Sequence, residues 1–108
     1  MLSSVGPPEP REFADRWIDA WNARDLEGVL THYADDVVFT SPTATRFLPE
    51  SGGTVRGKGA LRSYWTLALQ ANRDLHFELI GVYAGIDTLV LHYRNQVGGL
   101  VNEVLTFH

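Results

Sequence analysis

Two runs near the end of the chain decide the architecture: Thr88-Leu89-Val90-Leu91-His92-Tyr93-Arg94-Asn95-Gln96 and Leu100-Val101-Asn102-Glu103-Val104-Leu105-Thr106-Phe107, joined through Gly98-Gly99. Both are rich in β-branched and aromatic residues and free of proline, as strands require. A third such run, Leu75–Tyr83, precedes them across Gly85-Ile86-Asp87. Connections this short force neighbouring strands to run antiparallel, so the three form a meander.

Upstream of the meander the periodicity changes. Phe13, Trp17, Ala20 and Trp21 recur at helical spacing with Ala14 and Ile18 beside them, while Asp15, Arg16 and Asp19 fall on the other side. This predicts an amphipathic helix over about residues 9–22, started by the prolines at 8 and 10. Asp25 is a suitable N-cap for a second helix over 25–35 with Leu26, Val29, Leu30 and Tyr33 inward. Val37–Ser41 reads as a strand stopped by Pro42. The connection 42–57 is long for so small a domain, which usually marks function or mobility, and has room for a short hairpin from Thr45 to Val55. A third helix follows over 58–71, with Leu61, Tyr64, Trp65 and Ala68 on one face. Residues 1–8 read as a flexible lead-in and 9–108 as a single domain. Helices before an antiparallel sheet make the fold class α+β, with three N-terminal helices packed on a curved sheet around one central pocket.

Composition excludes several functions. A net charge of −4 without basic clusters argues against nucleic acid, whose phosphates call for a concentrated positive surface. The absence of cysteine removes disulfides, thiolate chemistry and cysteine metal sites. His32, His76, His92 and His108 stand far apart with no i,i+4 pair, so neither a metal nor another cofactor is expected. The glycines around 52–59 lack phosphate-loop spacing and read as turns. No apolar run is long enough to span a bilayer, so a membrane partner is not expected. The first residues have neither the basic region nor the apolar core of a signal peptide, and a cytoplasmic location is expected.

Several tracts together carry a resemblance. They are Trp17-Ile18-Asp19-Ala20-Trp21-Asn22, Arg24-Asp25-Leu26-Glu27, Tyr33-Ala34-Asp35-Asp36-Val37-Val38-Phe39, Ser41-Pro42, Val55-Arg56-Gly57-Lys58, Leu61-Arg62-Ser63-Tyr64-Trp65, Asp74–Leu79 and Glu103–Phe107. The chain thereby resembles the SnoaL-like branch of the nuclear transport factor 2-like superfamily, with Tyr33–Phe39 the most specific piece. The resemblance implies a cone-shaped (cystatin-like) fold whose helices close over the concave face of a bent sheet. It also implies that the strand following the family's counterpart of Glu103–Phe107 is missing here. Ketosteroid isomerase, polyketide cyclases, epoxide hydrolases, dehydratases and non-catalytic binders share this fold, so fold alone does not assign function. Carried over from ketosteroid isomerase, the tyrosine position falls on Trp17, the base on Ser41 and the protonated acid on Glu103. Only the last keeps its chemistry, so that mechanism is not expected.

Glu103 is the leading catalytic candidate, because Val101, Glu103, Leu105 and Phe107 form the more apolar alternation of their strand. A cavity-facing carboxyl among them would be desolvated and its pKa raised; on the other parity it would be exposed or salt-bridged. His92 is the second candidate. A two-residue Gly98-Gly99 turn places Arg94 opposite Glu103 and brings His92 to the same face. The apolar alternation Leu89, Leu91, Tyr93 argues for the reverse, which a three-residue turn would satisfy, and the sequence leaves both open. Trp17, Trp21, Tyr33, Ser41, Tyr64 and Phe77 are the candidate ligand-binding residues. The expected function is a small-molecule pocket protein binding a largely apolar or mixed-polarity molecule. One version is an acid–base isomerase, cyclase or hydrolase; the other is a non-catalytic ligand-binding or homodimeric assembly module.

Overall fold

The computed structural model describes residues 9–107; the lead-in expected over residues 1–8 and His108 lie outside them. Helix α1 spans Pro10–Asn22. Glu9 caps it, its carboxylate accepting from the backbone N–H groups of Arg11 at 3.1 Å and Glu12 at 2.6 Å. This satisfies two of the donors a helix start leaves free. Phe13, Ala14, Trp17, Ile18 and Trp21 are buried, and Asp15, Arg16 and Asp19 are exposed, as the spacing predicts.

Helix α2 is shorter than the predicted 25–35, running only Leu26–Leu30 with Asp25 as its cap. The Thr31 hydroxyl donates to the Gly28 carbonyl at 2.7 Å, and the chain then leaves the helix by tight turns. The Asp35 carbonyl accepts from Lys58 N–H at 3.0 Å, tying the end of that segment to the residue that opens the last helix. Tyr33 and Val37 remain buried although neither is helical.

Strand β1, Val38–Thr40, pairs antiparallel with β2, Thr54–Arg56, through Phe39 opposite Val55. No hairpin spans Thr45–Val55. Instead, helix α3 (Ala44–Phe47) and a 3₁₀ turn (Pro49–Ser51) fill the connection. Side-chain bonds nucleate it: Ser41 Oγ accepts from Thr43 N–H at 3.2 Å, and Thr45 Oγ1 donates to the Pro42 carbonyl at 2.6 Å. Gly52 and Gly53 take φ of 65° and 89°, backbone that side-chain-bearing residues adopt at a cost. Helix α4 covers Lys58–Ala71, as expected, with Leu61, Tyr64, Trp65 and Leu69 buried.

The main sheet is an antiparallel meander of β3 (Glu78–Gly85), β4 (Thr88–Arg94) and β5 (Leu100–Thr106). The single sheet expected from sequence is therefore two antiparallel sheets, with helices packed against them. Asn95 N–H donates to the Gly99 carbonyl at 2.8 Å and Gly98 N–H to the Asn95 carbonyl at 3.0 Å, with Gly98 at φ 82°. Only Gln96, Val97 and Gly98 lie between, so the β4–β5 turn has three residues, the form that ends on a left-handed glycine. The register follows: Leu91 faces Glu103, Tyr93 faces Val101 and Arg94 faces Leu100. Leu89, Leu91 and Tyr93 point into the core, so the apolar alternation prevails over the two-residue turn.

Candidate functional site

Between the helices and the sheet lies an open cavity of ≈ 480 Å³. Trp17 and Trp21 of α1, Phe39 of β1, Tyr64 and Trp65 of α4, Phe77 before β3 and Tyr93 of β4 form its walls. These rings pack edge-to-face, tilted or stacked. Phe77 and Tyr93 have centroids 4.4 Å apart, Trp21 and Trp65 5.0 Å, Trp17 and Tyr93 5.6 Å, and Trp17 stacks on Phe77 at 6.2 Å. Such contacts favour fixed positions for rigid rings, which makes the walls preformed.

Two long-range contacts hold this wall in place. Asn22, the last residue of α1, donates from Nδ2 to the Phe77 carbonyl at 2.9 Å and accepts from Phe77 N–H at 2.8 Å. Its amide acts as a short piece of strand partner for Phe77. Arg24 donates to the carbonyls of Leu69, Asn72 and Arg73, satisfying acceptors that the end of α4 leaves free.

The polar centre is Glu103. It lies on the cavity face of β5, where the Tyr93 hydroxyl donates to its Oε1 at 3.1 Å. The residue keeps partial exposure through the open cavity, yet the protein around its carboxyl desolvates it and pushes its pKa up, with the Tyr93 hydrogen bond opposing. Burial, and then the nearby Glu103 charge, push the Tyr93 and Tyr33 hydroxyls far above the ordinary tyrosine range. Both tyrosines therefore stay protonated donors. Trp17 bridges the layers: its Nε1–H donates to the Tyr33 hydroxyl at 3.1 Å. Burial also raises Tyr64, with the Ser41 side chain holding it back. The Trp21 Nε1–H is buried without an acceptor among the described residues.

The structure brings together Trp17, Trp21, Ser41, Tyr64, Phe77 and Glu103 around one space. Tyr33 is not in the cavity lining; it stands behind Trp17. His92 is also absent from the lining. The three-residue turn puts it with Asn102 on the outer face, where its Nδ1 lies 3.1 Å from the Val101 carbonyl. Arg94 is outward too and meets Glu78 at 3.4 Å, so it does not pair with Glu103. The sequence reading missed Tyr93 as the partner of Glu103, although its alternation with Leu89 and Leu91 was the signal. It also missed the rim, formed by Thr43, Arg46 and Phe47 on one side and Asn72, Asn95, Gln96 and Val97 on the other. Among the described residues no three His, Asp or Glu side chains gather where they could hold a metal ion.

The arrangement is an open cavity with an aromatic wall, a carboxylic acid at one point and polar side chains along much of the rest of its lining. It can bury a flat molecule and offer it a proton or a hydrogen bond.

Known proteins share this architecture. A SnoaL-like protein of unknown function from Burkholderia thailandensis superposes with a TM-score of 0.85 at 41% identity, over 94% of this chain and 88% of that one. An NTF2-like protein of unknown function from Burkholderia pseudomallei has a TM-score of 0.67 at 19% identity, over 91% and 80%. TerC, co-crystallised with polyporic acid, has a TM-score of 0.61 at 17% identity, over 89% and 77%. At those two lower identities the likeness is one of fold. No curated protein matches the sequence. The SnoaL-like domain model matches residues 14–106, from the first buried turn of α1 to the end of β5 and so around the whole cavity, and the chain belongs to that family.

Proposed function

We propose that the protein takes a largely apolar, planar small molecule into the aromatic cavity and acts on it by acid–base chemistry at Glu103. The observation that carries this is the placement of one carboxyl group, hydrogen-bonded by Tyr93, against a wall of aromatic rings in a cavity whose remaining lining is largely polar. The volume suits a molecule of two or three fused rings, since pockets for small molecules run from about 300 to 1,000 Å³. A neutral carboxyl can donate its proton to a carbonyl or leaving oxygen of the bound molecule and take one back from carbon or water. That is the step an isomerase, cyclase or hydrolase needs. Tyr93 orients the carboxyl, and a molecule bound against the aromatic wall displaces water from it.

The test is a thermal-shift screen of aromatic and polyketide-like molecules, followed by turnover assays on the hits with the Glu103→Gln protein. Ligands that raise the melting temperature support the pocket. Turnover lost in E103Q, with binding kept, supports the acid. Binding with equal turnover in both proteins, or with none in either, removes the catalytic role and leaves a ligand-binding module.

The outer face of the main sheet favours a second role, self-association. Tyr83, Leu100 and Val104 are each more than 60% exposed there. The charges on that face, Glu78 and Arg94, already pair with each other. A face that is apolar and locally neutral can meet its own copy about a two-fold axis without like-charge repulsion. We propose a homodimer through it, checked by light scattering across a dilution series. A particle that stays monomeric at high micromolar concentration overturns this.

A further inference from the structure

Of the side chains lining the cavity, Glu103 is the one carboxylic acid and Arg46 the one cation among the described residues. The two do not neutralise each other, for they form no ion pair. Five of the other arginines have partners, while Arg56 and Arg73 lie outside the cavity lining. Arg11, Arg16, Arg62 and Arg94 meet carboxylates, and Arg24 is committed to three carbonyls. Arg46 meets no carboxylate among the described residues. It sits on α3, exposed, with Thr43 and Phe47 beside it on the cavity lining. The segment that carries it is built by side-chain hydrogen bonds from Ser41, Thr45 and Ser51, so the guanidinium is presented from a defined backbone.

From the position of this unpaired guanidinium at the mouth of a cavity with an aromatic wall, we infer that the cavity selects an aromatic carboxylate. Its rings lie between Trp17, Phe39, Tyr64 and Phe77, its ionised group meets Arg46, and a neutral oxygen faces Glu103. The planar guanidinium fork matches a carboxylate in a way no other side chain does. A second ionised group at the Glu103 end would sit in a desolvated place beside an acid, which is unfavourable. The ligand is therefore amphipathic along its length, charged at the rim and neutral in the depth. The inference rests on the proposed pocket function and narrows it from planar molecules in general to aromatic acids.

The probes are 2-naphthoate and its neutral isostere 2-naphthamide, titrated into the full chain by calorimetry at neutral pH and low salt. The expected result is naphthoate binding about tenfold tighter than naphthamide, the scale of one charge-assisted contact near a surface. In Arg46→Met the preference for the acid should vanish, and in Arg46→Lys part of it should return. Circular dichroism melts confirm that the variants fold, as expected for an exposed side chain. Equal affinity of wild type for the two probes, or an acid preference that survives R46M, overturns this inference and leaves the aromatic pocket standing. Binding of neither probe overturns both.

Discussion

The Tyr93 hydroxyl donates to the Glu103 carboxyl at 3.1 Å across adjacent strands, from a position diagonal to it on the cavity face. Such diagonal neighbours are the pairs that long side chains can bridge. The contact joins the only acid in the cavity lining, among the described residues, to a phenol that burial keeps protonated, so the carboxyl is the member of the pair that titrates.

Glu103 should make the protein less stable as pH rises. Its folded pKa is raised by burial, while in the unfolded chain it titrates near an ordinary glutamate, about 4.3. Between those values the native state keeps a proton that the unfolded state has released. Its stabilising contribution is therefore full below the unfolded pKa and lost as pH climbs through the folded one. Urea melts from pH 4 to 8 should show this decline in wild type and a flatter curve in Glu103→Gln. A ¹³C titration of the Glu103 carboxyl should give a midpoint above the reference value. A midpoint at or below it would show that the carboxyl is not desolvated.

His32 pulls the other way. It lies edge-on to Phe13 with ring centroids 4.9 Å apart, and burial, then the Arg16 charge, lower its pKa. The unfolded histidine, near 6.5, picks up a proton before the native one does. Stability should thus fall as pH drops below that value and level off beneath the folded pKa. His32→Gln should flatten this acid limb, read by the same melts. An unchanged slope between pH 4 and 6.5 counts against the assignment.

Asn22→Ala removes both hydrogen bonds to Phe77 and leaves its N–H and carbonyl without those partners in a half-buried place. The expected loss is about 1–3 kcal/mol in urea melts. Amide shifts should move at Phe77 and Tyr93, whose rings are 4.4 Å apart. A cost within error, with unmoved shifts, would mean the clamp is dispensable.

Leu91→Ala tests which face of β4 is the core. Leu91 is fully buried opposite Glu103. Its truncation should cost about 2–5 kcal/mol, whereas His92→Ala, one residue along and outward, should cost far less. Similar costs at the two positions would contradict the register.

The sequence reading reached α1, α4 and the meander because their apolar spacing is local and long enough to be unambiguous. Trp17, Tyr64 and Glu103 followed from that spacing and the family resemblance. The face of β4 did not, because Gly98-Gly99 is compatible with turns of two lengths. What selects three residues is the Asn95 side chain, whose Oδ1 accepts from the N–H groups of Val97 at 3.1 Å and Gly99 at 2.8 Å. Helix α3 was hidden for a related reason: Ser41, Pro42 and Thr45 make it through short hydrogen bonds that leave no apolar periodicity. Arg46 was hidden with it. The bonds from Asn22 to Phe77 and from Arg24 to the end of α4 join residues more than forty positions apart, and no window along the chain contains them.

The three residues between β4 and β5 thus act as a combination lock for the cavity. Because side chains alternate with period two, gaining or losing one residue there obliges one of the flanking strands to turn over. On β4, Tyr93 would exchange places with Arg94 or His92; on β5, Glu103 would yield to Asn102 or Val104. Gln96 and Val97 also form part of the rim, so the same change would reshape the opening. Among relatives, the length of this connection should tell which share an acid-floored chamber more reliably than the residues within it.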